Sequence, residues 1–150
     1  MAASGKLTAG LGSRDMTGRK GEAATLGAVA AGGAAGAVAR YALTAAFPHP
    51  PGTFAWATFG INVAGCLLIG VLMVLITEVR RAHPLVRPFL GVGVLGGFTT
   101  FSTYVADVRE ALAAGAPLTA AAYLAGTLVA ALAAVTAGVL LTRAMFRRRT

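Results

Sequence analysis

The feature that most limits the fold is a series of four long apolar runs joined by short connections. They cover about residues 23–47, 53–77, 86–108 and 117–142. An α-helix needs roughly 20 mainly apolar residues to cross about 30 Å of hydrocarbon, and each run meets that length. Charged residues make up only 12% of the chain, whereas a typical soluble domain has about 25%. The sequence therefore predicts an all-α membrane protein with four transmembrane helices.

The segments outside these runs predict a simple organisation. Residues 1–22 are rich in Gly, Ser, Thr and charge and lack apolar periodicity, so a mostly disordered tail is expected there. Residues 23–142 form the transmembrane domain, and residues 143–150 form a basic tail. The first apolar run is too long for the core of a signal peptide and is followed by further spans, so we interpret it as a transmembrane helix.

The placement of the basic residues predicts the orientation in the membrane. A net charge of +8 can indicate nucleic-acid binding, but these charges lie in the tails and the middle loop, between apolar spans. Four lie in the N-terminal tail, three in the loop between the second and third spans, and four after the last span, against Arg109 alone on the opposite side. The positive-inside rule then predicts a multi-pass plasma-membrane protein with both termini in the cytoplasm, embedded in the lipid bilayer and not bound to nucleic acid.

Small and polar residues within the first two spans are expected to face protein. Gly32 and Gly36 are four residues apart, which lets a neighbouring helix backbone approach closely. Arg40 lies about 7 Å from the centre of its span by helical rise. It either extends to the interface or faces an internal cavity, where its charge would favour an anion. Asn62 either links two helices or donates its amide hydrogens to a passing anion.

The remaining chemically active residues do not form an enzyme site. Cys66 is the single cysteine and is expected to be a packed thiol. His49 and His83 lie in loops without metal-ligand spacing. Asp107 and Glu110, at the end of the third span, are expected on a solvated face. No nucleophile lies beside a base, so the sequence argues against an enzyme.

The segment 96–104, with the sequence GGFTTFSTY, predicts a break in the third helix. Its paired glycines and β-branched threonines are poor helix formers. Within a membrane such a break is tolerated only inside protein or beside a water-filled cavity. The first half-helix would end in carbonyls suited to a cation, and the second would begin with amides suited to an anion. Phe101 and Tyr104 are three residues apart and are expected to share a face, where the positive ring edges could contact an anion.

The same segment resembles the GGxTTFSTF signature of the Fluc or CrcB family of small bacterial fluoride channels. Two further stretches agree with this family, GGAAGAVARY at residues 32–41 and Gly52-Thr53 together with NVAG at residues 62–65. The resemblance covers essentially everything after the N-terminal tail. It implies passive, selective fluoride export that protects the cytoplasm, through an antiparallel, dual-topology dimer with two pores. It also implies a structural sodium ion (Na+) at the dimer centre that is not transported.

The resemblance also implies roles for individual residues. Backbone carbonyls of Gly96 and Thr99 from each subunit would hold the sodium ion, and the ring edges of Phe101 and Tyr104 would line the fluoride path. The other implied pathway residues are Asn62 as the pore asparagine, Ser102 and Thr103 as adjacent hydroxyls, and Tyr123 and Thr127 on the fourth span; Arg40 joins them in its cavity-facing interpretation.

Three departures from the family pattern are visible. Tyr104 stands where the family usually has phenylalanine, which adds a hydroxyl to the expected fluoride path. The polar track on the fourth span is short, because Ala131 follows Thr127. Members that pair with themselves need nearly balanced charge to insert in both orientations, whereas this chain is biased eleven to one. The bias suggests a heterodimer with a homologous subunit of opposite topology, and a homodimer is the alternative.

Two other classes of membrane protein are possible from the span count. A small multidrug-resistance-type exporter also has four spans, but it needs an acidic residue in the first span, and none occurs between Glu22 and Glu78. A non-transporting assembly factor would not need a break at residues 96–104.

Overall fold

The computed structural model of the chain describes residues 5–79 and 82–147, with the backbone alone for residues 5–20. Within these residues the structure is helical, with no β-strand. The helices are α1 (Gly5–Ala46), α2 (Trp56–Val74) with a π-helical continuation (Leu75–Val79), a π-helix (Arg87–Leu95) leading into α3 (Gly96–Phe98), α4 (Ser102–Ala113) and α5 (Pro117–Arg147).

Four helical segments are long and apolar enough to cross a membrane, which confirms the predicted number of spans. They are Gly21–Ala46, Trp56–Val79, Arg87–Ala113 and Pro117–Arg147. Helix α1 begins at Gly5, upstream of the predicted start at residue 23, and no proline interrupts its backbone before Ala46. Helix α5 likewise continues past the predicted end at residue 142. The apolar parts of the spans lie close to where the sequence predicts them.

Helix α1 packs against the first half of the third span through a glycine seam, which is formed by Gly32, Gly36, Gly93 and Gly97. A Cβ atom on Gly36 would collide with the carbonyl oxygen of Val94, and one on Gly93 would lie 2.9 Å from the Cα of Gly32. A Cβ on Gly97 would strike the α1 backbone in the same way. The two backbones are therefore in direct contact, as the spacing of Gly32 and Gly36 predicts.

A second close pair is formed by α2 and α5. A Cβ on Gly70 would collide with the carbonyl oxygen of Val135, and one on Gly138 would collide with that of Leu67. The third span has a different partner for each half. Its first half, residues 87–98, packs on α1, whereas α4 packs on α5. The third span therefore changes partner along its length.

The break in the third span lies where this change of partner occurs. Helix α3 ends at Phe98, Thr99 is extended with φ −74° and ψ 156°, and α4 begins at Ser102. This confirms the predicted interruption within residues 96–104. The break falls on the two threonines and not on the glycines, because Gly97 is still helical where it contacts α1.

Candidate functional site

A cavity of about 260 Å³ opens beside the break. It lies between α2, the break, α4 and α5, and it brings together four of the predicted fluoride-pathway residues, Asn62, Phe101, Tyr104 and Thr127, with Thr99 of the predicted sodium site. Among the residues that the structure describes, the lining consists of Asn62, Cys66, Thr99, Thr100, Phe101, Tyr104, Thr127, Leu128 and Ala131. The cavity therefore combines a few polar groups with a mainly apolar wall.

Asn62 holds the broken segment in place through its side-chain amide. Its Nδ2 donates to the carbonyl oxygen of Thr100 at 2.9 Å, and its Oδ1 accepts from the Thr100 N–H at 2.8 Å. This pair of bonds confirms the interhelical link considered for Asn62. An amide nitrogen carries two hydrogens, so the bond to Thr100 leaves one for another acceptor.

The carbonyls of Gly96 and Thr99 have lost the donors that a continuous helix would provide. The Thr100 N–H, which would bond to Gly96, donates to Asn62 instead. The Thr103 N–H, which would bond to Thr99, donates to the Thr100 Oγ1 at 3.1 Å. These are the two carbonyls that the family resemblance assigns to a sodium ion.

A small group of hydroxyls surrounds the start of α4. The Oγ1 of Thr100 donates to the Oγ1 of Thr103 at 3.0 Å and lies 3.4 Å from the Oγ of Ser102. Ser102 and Thr103 border the cavity residue Thr100 but do not themselves line the cavity. The contact with Thr100 is therefore what connects Ser102 and Thr103 to the cavity.

Phe101 and Tyr104 contact each other but differ strongly in exposure. Their ring centroids are 5.8 Å apart, yet Phe101 is 78% exposed and Tyr104 only 7%. Phe101 lies just before the first residue of α4, so no preceding turn of that helix covers its ring. The Tyr104 hydroxyl donates to the Leu124 carbonyl at 2.6 Å, which directs it towards the backbone of α5. The extra hydroxyl of Tyr104 therefore anchors the ring.

The two predicted residues on α5 have different surroundings. The Oγ1 of Thr127 is buried, borders the cavity and has no hydrogen-bond partner among the described residues. Tyr123 is only 2% exposed and lies behind the cavity wall, with its ring centroid 5.3 Å from that of Tyr104. Ala131 also lines the cavity, so the polar track stops there, as the sequence predicts.

Asp107 is not on a solvated face, contrary to the prediction from sequence. It is 9% exposed, and its Oδ2 accepts a 3.0 Å hydrogen bond from the Tyr123 hydroxyl. Helical spacing is the sequence signal that indicates this burial, because Asp107 lies three residues after Tyr104 and shares its buried face. Glu110 is exposed, as predicted.

Arg40 is directed at the break in the third span. Its Nε donates to the Gly97 carbonyl at 3.2 Å, and the side chain is partly buried. A cation at this position complements the C-terminal end of the first half-helix. Arg40 is not among the residues that line the cavity, so the structure brings it to the break but not to the cavity wall.

The family model and the individual relatives that match this chain indicate the same protein family. The model of the family described as "CrcB-like protein, Camphor Resistance (CrcB)" matches residues 27–139. The chain is 59% identical over 114 residues to the fluoride-specific ion channel FluC 1 of Streptomyces coelicolor, covering 76% of this chain and 74% of that protein.

Two other relatives show similar coverage. The chain is 56% identical over 115 residues to FluC 2 of Nocardia farcinica, covering 77% of this chain and 82% of that protein. It is 53% identical over 130 residues to FluC 2 of Thermobifida fusca, covering 83% of this chain and 96% of that protein. With its four spans, broken third helix and matching family model, the chain belongs to the Fluc/CrcB family.

Proposed function

We propose that this protein is a fluoride-selective ion channel that lets fluoride leave the cell passively across the plasma membrane. The observation that carries the proposal is the cavity at the helix break. There the Asn62 amide and the Thr127 hydroxyl, which has no partner in residues 5–79 and 82–147, meet two aromatic rings. The names of the relatives, all fluoride-specific ion channels, support fluoride as the anion.

The cavity has the chemistry needed to replace the water around a small anion. Fluoride loses strong hydrogen bonds when it leaves water, so a pore must offer other donors. Within the described part of the chain Thr127 has a hydroxyl hydrogen without an acceptor, and Asn62 has a second amide hydrogen. The edges of the Phe101 and Tyr104 rings add weak positive charge. None of the lining residues within the described part of the chain is acidic, which favours an anion over a cationic substrate.

The carbonyls of Gly96 and Thr99 fit the donor set of a structural sodium ion. Oxygen atoms at the end of a half-helix carry partial negative charge, which a hard cation prefers. The Arg40 side chain donates to the neighbouring Gly97 carbonyl, so the carbonyls of Gly96 and Thr99 are left for an ion. A Cβ on Gly96 would meet no atom within 4 Å, so this side is open to a second subunit that could supply matching carbonyls. The ion would join two subunits at their breaks.

The partner subunit would be antiparallel to this one. The charge bias of eleven to one favours a single orientation with both termini in the cytoplasm, so the opposite orientation requires a homologue with the reverse bias. We therefore favour a heterodimer over a homodimer. Purified alone and reconstituted in liposomes, the chain should give little fluoride efflux, and efflux should appear when the homologue is co-reconstituted. Robust efflux from the lone chain would show a homodimer instead.

The function is tested by comparing fluoride and chloride efflux from liposomes with ion-selective electrodes. The wild-type channel, alone or with its homologue as required, should release fluoride and retain chloride. Phe101→Ile should reduce fluoride efflux by at least about tenfold, because the ring edge is lost while an apolar side chain remains. The matched control is Phe89→Ile on the first half of the third span, outside the cavity lining, which should leave efflux unchanged. Equal fluoride and chloride efflux would refute the proposal.

A further inference from the structure

The loop between α1 and α2 lies against the turn after α4. This end of the bundle is opposite the loop between the second and third spans. His49 lies in this loop between Pro48 and Pro50, whose rings restrict the backbone. Gly52 has φ +82°, and a Cβ on it would lie 3.1 Å from the Cβ of Ala114 in the turn after α4. This close contact holds the loop against the end of α4.

The position of the loop brings together three side chains of types that can bind metal ions. His49 from the loop meets Asp107 and Glu110 from α4, and one ligand atom from each lies within 4.8 Å of the others. Asp107 and Glu110 are three residues apart and therefore share a helix face. The local sequence around His49 gives no metal-ligand spacing, because its neighbours come from a helix more than 50 residues further along the chain.

The environment of Asp107 independently favours a cation. A nine-tenths buried carboxylate needs several hydrogen bonds or a counter-charge to offset its lost hydration. Asp107 has one hydrogen bond, from Tyr123 to Oδ2, and forms no ion pair among the described residues. The second oxygen is left for a ligand. Carboxylates that bind metal ions in proteins are usually also hydrogen-bonded to a further residue, because that hydrogen bond fixes the orientation of the ligand.

We propose that His49, Asp107 and Glu110 form a binding site for a divalent transition-metal ion at this mouth of the bundle. One imidazole nitrogen and two carboxylate oxygens suit Zn²⁺ and its neighbours, and Co²⁺ can replace zinc as a spectroscopic probe. Three protein ligands leave further coordination positions for water. Tyr123 acts as a positioning residue by holding the Asp107 carboxylate. The site is separate from the fluoride cavity and does not depend on the proposed transport function.

The test is a titration of the full chain in detergent, purified with a tag that contains no histidine. ZnCl₂ binding is measured by calorimetry, and CoCl₂ binding by its visible absorption bands. The wild type should bind one ion per chain. His49→Ala and Glu110→Gln should each raise Kd by about tenfold or more. Glu110 is exposed, so its substitution should not disturb folding.

The matched control is His83→Ala, which removes the other histidine of the chain from the exposed loop at the far end of the bundle. Its Kd and cobalt spectrum should equal those of the wild type. Size-exclusion chromatography checks that every variant is monodisperse. The proposal is wrong if the wild type shows no saturable binding, if His49→Ala binds as tightly as the wild type, or if His83→Ala weakens binding equally.

Discussion

The glycine seam and the cavity at the helix break are held together in opposite ways. At the seam, Gly36 and Gly93 bring two backbones into contact without any side chain between them. At the break, Asn62 and Thr100 satisfy backbone groups that the interrupted helix leaves open. The seam is stabilised by close packing, and the break by directed hydrogen bonds. The third span passes through both regions, so its first half is fixed by shape and its middle by polar contacts.

This difference indicates which changes each region can accept. A packed backbone contact has no room for added atoms, but it does not require any particular polar group. A hydrogen-bonded break tolerates open space beside it, but each donor and acceptor that loses its partner costs free energy.

Gly36→Ala should lower the free energy of unfolding by about 3 kcal/mol, because the new methyl group would collide with backbone atoms that cannot move independently. The measurement is unfolding by SDS in mixed micelles, followed by the fluorescence of Trp56, the single tryptophan. Gly126→Ala is the control, since a Cβ there meets no atom within 4 Å. Equal stability of the two variants would contradict the direct backbone contact at the seam.

Asn62→Ala should lower the free energy of unfolding by about 2 kcal/mol, because the N–H and carbonyl of Thr100 both lose their partner. The same unfolding assay applies. Thr136→Ala is the control, since it removes an exposed hydroxyl that bonds only within its own helix. If Asn62→Ala is no less stable than this control, the break does not depend on the Asn62 bonds.

Tyr104→Phe should lower the free energy of unfolding by about 1 kcal/mol through loss of the 2.6 Å bond to Leu124. Fluoride efflux should persist, because the ring edge is unchanged. Tyr41→Phe, at a side chain that is 73% exposed, should alter neither property. Loss of efflux in Tyr104→Phe with unchanged stability would place the hydroxyl in the fluoride path and not on the α5 backbone.

Thr127→Val should have the smallest effect on stability, between no change and a gain of about 1 kcal/mol, because the buried hydroxyl has no partner to lose in the part of the chain that the structure describes. Fluoride efflux should nevertheless fall, since the cavity loses a donor. Thr136→Val, at the exposed position on the same helix, should keep full efflux. A clear loss of stability in Thr127→Val would reveal a structural role for the hydroxyl and remove it from the proposed path.

The number of spans, the break and the close packing of Gly32 and Gly36 follow from sequence because each depends on local composition or spacing. The link from Asn62 to the break was one of two possibilities, since a single amide in an apolar span needs some polar partner. These features require little knowledge of which helices are neighbours.

Features that depend on neighbouring helices were harder to predict. Helical spacing predicts a shared face for Phe101 and Tyr104, but α4 begins only at Ser102. Of the two rings, α5 covers only that of Tyr104. The position of Asp107 near the end of a span predicts a solvated side chain, whereas in the structure Asp107 is buried and bonded to Tyr123 of another helix. Its proximity to His49 depends on how the intervening loop folds back.

The glycine seam also has a consequence for the order in which the chain enters the membrane. The first and third spans are the two of lower hydropathy, and they pack against each other, whereas the more apolar second and fourth spans form the other pair. During synthesis α1 therefore leaves the ribosome well before the helix that covers its glycines. Until the third span is made, the first must stay in the bilayer on its own modest hydrophobicity, which makes its insertion the step most sensitive to added polar residues.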